Sequence, residues 1–115
     1  MFLDLYADCR DLFLTAKVGG RIAGYISTCV EKREAEIVSL AVHPDYRRRG
    51  VADALMRRTL DALRKAGVRR VSLMVRTGNT AGEQLYRAHG FRRVRLERRY
   101  YEDGGDGFLM VRAIQ

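Results

Sequence analysis

Apolar and polar residues alternate in two runs near the start of the chain, and this alternation predicts two strands. The runs cover residues 12–18 and 22–30, and Gly19-Gly20-Arg21 between them is typical of a hairpin turn. A third apolar run, 35–42, also predicts a strand. It stops before Pro44, because proline has no N–H to donate to a strand ladder. The first part of the chain therefore predicts three consecutive strands.

The rest of the chain alternates between helical and strand-like patterns. The predicted elements are a helix at 51–66, a strand at 71–75, a helix at 81–89, and strands at 91–101 and 108–114. Gly67 and Gly90 stand where the two helices should end, and the apolar run at 71–75 is typical of a central strand. Residues 2–9 fit a short helix. This order predicts a mixed α/β sheet in a single domain, 1–115, without internal repeats.

Composition narrows the classes of function that the chain can serve. The net charge is +8, because 22 Lys and Arg outnumber 14 Asp and Glu. Such a surface attracts nucleic acid, a phosphorylated cofactor or the ribosome, although a solvated surface also explains most of the arginine clusters. No apolar run approaches the roughly 18 residues of a membrane helix, and the N-terminal residues do not have the pattern expected of a signal peptide. No membrane partner and a cytoplasmic location are therefore expected. Cys9 and Cys29 are too few for a disulfide framework, and no metal is expected.

Residues 47–52 join the third strand to the first helix through a basic turn that contains Gly50. Backbone N–H groups at the start of a helix, and the positive end of its dipole, would point toward this turn. The arrangement predicts an anion site, where the small residues Gly50 and Ala52 let a phosphate approach the backbone. The segment lacks the ending of a nucleotide P-loop and the three spaced glycines of a dinucleotide fingerprint. A basic turn that only caps a helix is the alternative.

The sequence Arg-Arg-Arg-Gly-Val-Ala at 47–52 resembles the R/Q-x-x-G-x-G/A acetyl-coenzyme A signature of the GCN5-related N-acetyltransferase (GNAT) family. Further blocks are similar to this family in the same order: Leu40-Ala41-Val42 before His43-Pro44-Asp45-Tyr46, then Asn79, Leu85-Tyr86 and Gly90-Phe91, and finally Tyr100-Tyr101 before Phe108-Leu109-Met110. The last block is similar to the end of the RimI-like ribosomal-protein alanine N-acetyltransferase branch. The resemblance covers residues 12–114.

The resemblance implies a GNAT-like fold, which is a mixed, mostly antiparallel sheet flanked by helices. The family usually begins with a strand and two helices that wall the acceptor site, and this chain starts near the end of that region. The expected fold therefore lacks the usual first strand and most of the first two helices. The alternatives are a truncated or minimal form, a mis-assigned start, and a domain whose missing wall is supplied by a homodimer or partner subunit. An open acceptor side would favour a bulky acceptor such as a protein terminus.

The resemblance also implies acetyl-coenzyme A (acetyl-CoA) as co-substrate. Backbone groups of residues 40–42 would pair with the pantetheine arm, and Asn79 would contact the same arm. Tyr86 would return a proton to the departing thiolate, which requires tuning, because a free phenol has a pKa of about 10 and a thiol about 8.5. Without the flanking motifs, Tyr86 would be interpreted as a core tyrosine. The implied cofactor-binding residues are Leu40, Ala41, Val42, Arg47, Arg48, Arg49, Gly50, Val51, Ala52, Asn79 and Tyr86.

The catalytic base follows less directly, because the RimI-like branch carries a glutamate five residues before the asparagine, where this chain has Met74. Methionine cannot accept a proton. Glu36 is the expected base instead, since residues 35–38 resemble the strand on which the histone-acetylating branch carries its catalytic glutamate. An α-amine is only about one-tenth free base at pH 7, so a base would add about 10²–10⁴ in rate. An exposed acid paired with an arginine is the alternative for Glu36, and His43 and His89 are weaker candidates.

The residues and the resemblance together predict an N-acetyltransferase with Glu36 and Tyr86 as its catalytic pair. The amine would attack the thioester directly in a ternary complex, because neither cysteine is placed as an acyl carrier, and backbone N–H groups near Val42 would stabilise the oxyanion. A protein N-terminal α-amine is the expected acceptor, with a small-molecule amine or a lysine as alternatives. The rival from another class is a non-catalytic module that binds CoA, or that docks on RNA or the ribosome.

Overall fold

The computed structural model describes residues 11–114, so the short helix predicted within residues 2–9 lies outside the described residues. Each strand and helix predicted between residues 12 and 114 is present. In chain order the elements are β1 (Leu12–Val18), β2 (Arg21–Glu31), β3 (Glu34–Val42), a 3₁₀ turn (Pro44–Tyr46), α1 (Val51–Lys65), β4 (Arg70–Arg76), α2 (Thr80–Ala88), β5 (Arg92–Glu97) and β6 (Gly107–Ala113).

The six strands form one sheet in the order β1-β2-β3-β4-β6-β5. Neighbouring strands are antiparallel except β3 and β4, which are parallel and are connected through α1. The last strand, β6, inserts between β4 and β5. The predicted mixed, mostly antiparallel sheet with flanking helices is confirmed. Neither of the two described helices is long and apolar enough to cross a membrane.

The core lies between the sheet and α1, because the helix buries the apolar face that its sequence pattern predicts. The buried positions include Met56, Leu60 and Leu63 of α1 and Val71, Leu73 and Val75 of β4. Each such side chain contributes about 1.5–3 kcal/mol through burial. Between the buried positions of β4, Ser72 and Met74 are partly exposed and point to the opposite face of the sheet.

The second helix lies on the same face of the sheet as α1. His89, which caps the C-terminus of α2, has its Nε2 atom 2.7 Å from Oδ1 of Asp53 in the first turn of α1. A right-handed connection from β4 through α2 also places this helix on that face. The end of α2 and the start of α1 therefore meet.

Strands β3 and β4 separate part-way along their length, and a β-bulge marks the point of separation. Ser27 of β2 pairs with Ser39, but the next residue pairs with Ile37, so Val38 is an extra residue in β3. The parallel ladder between β3 and β4 ends at Ile37 and Leu73. Beyond it, β3 continues beside β2 and β4 continues beside β6. The resulting opening between residues 38–42 of β3 and the end of β4 is called the wedge below.

The strand predicted to end at Tyr101 is wrong beyond Glu97, where β5 stops. Residues 98–106, called the tyrosine loop below, form a turn of their own before β6. Arg99 has a φ of 53°, which is outside the strand region, and the N–H of Tyr101 donates to the carbonyl oxygen of Gly105 at 3.0 Å. Hydrogen bonds within the loop therefore replace the strand ladder that was expected to continue to Tyr101.

Candidate active site

The predicted pantetheine-binding residues, 40–42, form one wall of the wedge. Their backbone pairs on one side with β2, where Gly24 lies opposite Val42. A Cβ atom on Gly24 would lie only 2.7 Å from the carbonyl oxygen of Ala41, so the two strands are packed too closely there for any larger residue. The other backbone edge of 40–42 faces the wedge. An extended ligand can bind such an edge as an added strand would.

The predicted pyrophosphate loop, 47–52, lies at the start of α1. Gly50 is the N-cap residue with a φ of 78°, and Arg48 also has a positive φ of 62°. The N–H of Ala54 bonds to the carbonyl oxygen of Gly50 at 2.9 Å, so the amides of 51–53 have no acceptor inside the helix. These amides and the helix dipole form a site suited to an anion.

Two arginines of this loop fold back onto their own turn. Arg47 donates a long hydrogen bond from Nε to the carbonyl oxygen of Val42 at 3.4 Å. The guanidinium carbon of Arg49 lies 5.5 Å from the ring centroid of Tyr46, which is within the range of a cation–π contact. These contacts keep positive charge beside the amides of α1 and next to the wedge.

Asn79 begins α2 as its N-cap residue. Its Oδ1 atom accepts a hydrogen bond from the N–H of Gly82 at 2.9 Å. A Cβ atom on Gly82 would lie 2.5 Å from Nδ2 of Asn79, so a larger residue there would displace the capping side chain. Capping occupies the side-chain oxygen, and the NH₂ group of Asn79 is the part of this side chain that can donate to a ligand.

Tyr86 lies on α2 with its ring packed edge-to-face against Phe91, at a centroid distance of 6.3 Å. Burial raises the pKa of the Tyr86 phenol above its ordinary value of 10.0, and the charge of a nearby ionised Tyr101 would raise it further. The phenol is therefore protonated at neutral pH and can donate a proton. It cannot serve as a base.

Glu36 lies on the opposite face of the sheet from Tyr86. Its neighbours along β3, Ala35 and Ile37, are buried in the core, whereas Glu36 is exposed. In the sheet register Glu36 stands between Cys29 of β2 and Ser72 of β4, one residue before the wedge opens. A groove on this face is lined by Asp11, Cys29, Val30, Glu31, Glu34, Ala35, Glu36 and Ser72. The four carboxylates of this groove would attract a cationic amine.

Met74 and the two histidines that were weaker candidates for the base all have structural contacts. Met74 occupies the position of the RimI-like glutamate, and its Cε would lie 2.9 Å from a Cβ atom on Gly107. His43 accepts a hydrogen bond from the N–H of Asp45 through Nδ1 at 3.1 Å. His89 bonds with Asp53 and joins the two helices, as described above. These contacts give both histidines a structural role.

One group of site residues was not predicted. Arg76, at the end of β4, lies with its guanidinium carbon 4.2 Å from the ring centroid of Tyr101 and its Nη1 atom 3.1 Å from Asp103. These residues connect the wedge to the tyrosine loop. The sequence singled out Tyr101 only as part of a block similar to the family, and that block does not identify a partner on β4.

Comparison with known proteins identifies the family of this chain. The model of the acetyltransferase (GNAT) family matches residues 1–91, which is most of the chain. The chain belongs to this family. Membership confirms the predicted family, the fold and the class of enzyme, an acyltransferase.

Three relatives illustrate the similarity. N-alpha-acetyltransferase RimI of Mycobacterium tuberculosis is 41% identical over 105 residues, which cover 87% of this chain and 65% of that protein. The [ribosomal protein bS18]-alanine N-acetyltransferase of Escherichia coli strain K12 is 39% identical over 94 residues, covering 80% of this chain and 64% of that protein. The crystal structure of Ard1 from Thermoplasma volcanium superposes with a TM-score of 0.90 at 32% identity, covering 99% of this chain and 78% of that one. This chain therefore spans about two thirds of the length of the two relatives compared by sequence.

Proposed function

We propose that this GNAT chain transfers the acetyl group of acetyl-CoA to the α-amine of a protein N-terminus. The observation that carries the proposal is the wedge, where the backbone edge of 40–42 that faces away from β2 lies beside the anion site of loop 47–52. A ligand with an extended amide-bearing arm and a pyrophosphate fits both features together. The relatives support the acceptor, because one is named an N-alpha-acetyltransferase and another acts on ribosomal protein bS18.

In this proposal the cofactor is held mainly by the backbone. Residues 40–42 bond the pantetheine amides, the amides of Arg48 to Ala52 surround the pyrophosphate, and the NH₂ group of Asn79 donates to the arm. Backbone contacts of this kind require a fixed main chain more than a particular side chain. The close packing at Gly24 and the left-handed conformation of Gly50 provide that fixed geometry.

The reaction proceeds by direct attack in a ternary complex. The neutral amine nitrogen attacks the thioester carbon, a new N–C bond forms, and the carbonyl oxygen becomes an oxyanion beside the backbone N–H groups near Val42. The C–S bond then breaks, and the thiolate takes a proton from the phenol of Tyr86. Glu36, directly or through water, takes the proton that converts the acceptor ammonium to the neutral amine before attack. The nitrogen loses its second proton to solvent as the amide forms, and solvent returns a proton to the phenolate of Tyr86.

The test combines ligand binding with turnover of an N-terminal peptide. Acetyl-CoA is expected to raise the melting temperature, and Tyr86→Phe should keep this shift while lowering kcat by about 10²-fold. Acetylated products would be identified by mass spectrometry over N-terminal peptides, polyamines and lysine peptides. Stabilisation by RNA that weakens with salt, without any shift by acetyl-CoA, would instead identify a docking module.

Glu36→Gln tests the base separately. With a peptide acceptor, the variant should lose the rate advantage of general base catalysis at pH 7 and regain it as pH rises toward the pKa of the amine, near 8. If the rate–pH profile of Glu36→Gln matches that of the parent chain, a water molecule or another group is the base.

A further inference from the structure

We infer that Arg76 and Asp103 clamp the tyrosine loop so that Tyr101 is held over Gly107 at the end of β4, which makes Arg76 a positioning residue for acetyl transfer. The inference rests on the proposed function, since it concerns the acceptor side of that site. None of the motifs that predict the cofactor site includes this clamp.

The guanidinium of Arg76 makes two different contacts at once. Its central carbon lies 4.2 Å from the ring centroid of Tyr101, well inside the range of a cation–π contact. Its Nη1 atom lies 3.1 Å from both carboxylate oxygens of Asp103. Arg76 is the last residue of β4, so these contacts tie the tyrosine loop to the strand that borders the wedge.

Asp103 fixes the shape of the loop itself. Its Oδ1 atom also accepts a hydrogen bond from the N–H of Gly105 at 2.9 Å. The N–H of Tyr101 donates to the carbonyl oxygen of Gly105, and the N–H of Gly104 donates to the carbonyl oxygen of Tyr101. The hydrogen bond from Gly105 and the one from Arg76 lower the pKa of Asp103 below its ordinary value of 3.8. The carboxylate therefore keeps its charge, and with it the contact to Arg76, throughout the neutral range.

The contacts of Tyr101 place its ring at the end of β4, next to Met74. A Cβ atom on Gly107 would lie 2.9 Å from Cε of Met74 and 3.1 Å from Cε2 of Tyr101. Tyr101 and Met74 therefore both cover Gly107, at the end of β4 that borders the wedge. Tyr101 also lies close enough to Tyr86 for its charge to act on that phenol. Met74 points away from the core, so the Tyr101 ring lies on the same face of the sheet as Glu36, at the end of β4 that borders the wedge.

The loop needs the clamp to hold its conformation, because it is otherwise open to solvent. Glu102, Asp103 and Gly104 are exposed, and an exposed ion pair alone contributes little to stability. Arginine suits the task because its planar guanidinium can stack on an aromatic ring and bond a carboxylate at the same time, whereas lysine offers only a point charge. Small displacements of a positioned group can cost a large factor in rate.

The experiment compares Arg76→Met, Arg76→Lys, Tyr101→Leu and the double variant Arg76→Met/Tyr101→Leu. Arg95→Met is the matched control, because Arg95 also pairs with an acid, Glu97, but lies on the edge strand β5. Arg76→Met should lower kcat/KM for an N-terminal peptide about tenfold, with the stabilisation by acetyl-CoA unchanged. Arg76→Lys should recover part of the loss, and Arg95→Met should match the parent chain.

The double variant decides whether Arg76 acts through Tyr101. If it does, the double variant should be no worse than Tyr101→Leu alone; additive losses would overturn the inference. If Arg76→Met loses the stabilisation by acetyl-CoA to the same extent as it loses kcat/KM, Arg76 has a general structural role, and this result would also overturn the inference. Hydrogen exchange at the amides of Tyr101 and Gly105 gives a readout without turnover: it should accelerate in Arg76→Met and not in Arg95→Met. If exchange accelerates in Arg76→Met but the parent chain acetylates no acceptor, the result would refute the proposed function and would still support the clamp.

Discussion

At the scale of single residues, burial decides which protons the two site tyrosines can carry. Burial raises the pKa of Tyr86, and it raises the pKa of Tyr101 more than the nearby Arg76 lowers it. Both phenols therefore keep their protons at neutral pH. Either could donate to a thiolate, and neither could deprotonate an ammonium group. The proposed base must then be a carboxylate or water, which is consistent with the exposed Glu36 in its groove of acids.

The raised pKa of Tyr86 predicts how stability changes in alkali. In the unfolded chain Tyr86 ionises near pH 10.0, while in the folded chain it holds its proton to higher pH. The contribution of Tyr86 is thus fully present below pH 10 and is lost as pH rises through the raised value. Unfolding by urea at pH 9, 10 and 11 should show a steeper loss for the parent chain than for Tyr86→Phe, with a difference of at most about 1.4 kcal/mol per pH unit. Equal slopes would mean that Tyr86 is not shielded from water.

Motifs predicted individual residues only where the neighbouring sequence carries the information. Asn79, Tyr86 and the loop 47–52 belong to short blocks with a local geometric purpose. Asn79 caps the start of α2, Tyr86 lies in the last turn of that helix, and the loop begins α1. The contact between Arg76 and Asp103 joins residues 27 positions apart. No local pattern records such a pair, so neither residue could be selected from the sequence alone.

At the scale of elements, periodicity predicted the strands and helices but not the wedge. The hairpin of β1 and β2, the amphipathic α1 and the central β4 all follow from alternation, glycine stops and apolar runs. The wedge depends on the extra residue Val38 in β3 and on where the ladder with β4 ends. A bulge shifts the pairing of one strand against another, so it becomes visible only when both strands are in register.

The wall of the wedge predicts a strong effect of a substitution at Gly24. In Gly24→Val, the new Cβ would meet the carbonyl oxygen of Ala41 at 2.7 Å and Cγ1 of Val51 at 3.3 Å. Strands β2 and β3 would have to move apart, at a cost of about 1–3 kcal/mol. Thermal unfolding should show this loss together with a smaller stabilisation by acetyl-CoA. Thr15→Val, at an exposed position of β1, should change stability by less than about 0.5 kcal/mol.

The opposite result at Gly24 would also be informative. If Gly24→Val keeps the full stabilisation by acetyl-CoA, the main chain of 40–42 does not hold the cofactor as proposed. The binding energy would then have to come from the loop 47–52 and the side chains near it.

At the scale of the whole molecule, 14 acidic residues offset only part of the charge of 22 Lys and Arg, which leaves a net charge of +8. Several exposed cations pair with carboxylates, as in Arg57 with Asp53 and Lys65 with Asp61. The arginines of loop 47–52 are exposed and lie beside a helix N-terminus, so the positive potential there has both a local and a general source. The general source alone would attract any polyanion, including RNA. Only the local source distinguishes a phosphate-bearing cofactor.

Salt should separate these two sources. Raising KCl from 50 to 500 mM shortens the Debye length from about 14 to about 4 Å, and the affinity for acetyl-CoA, measured by calorimetry, should fall about tenfold. Acetyl-pantetheine, which lacks the phosphates, should bind more weakly and with little dependence on salt. Replacing Arg48 and Arg49 by glutamine should flatten the salt dependence for acetyl-CoA, while Arg95→Gln, which makes half that change in net charge at a distant strand, should leave it unchanged. Equal flattening per charge removed in both variants would show that the overall field attracts the cofactor, and that loop 47–52 is not the phosphate site.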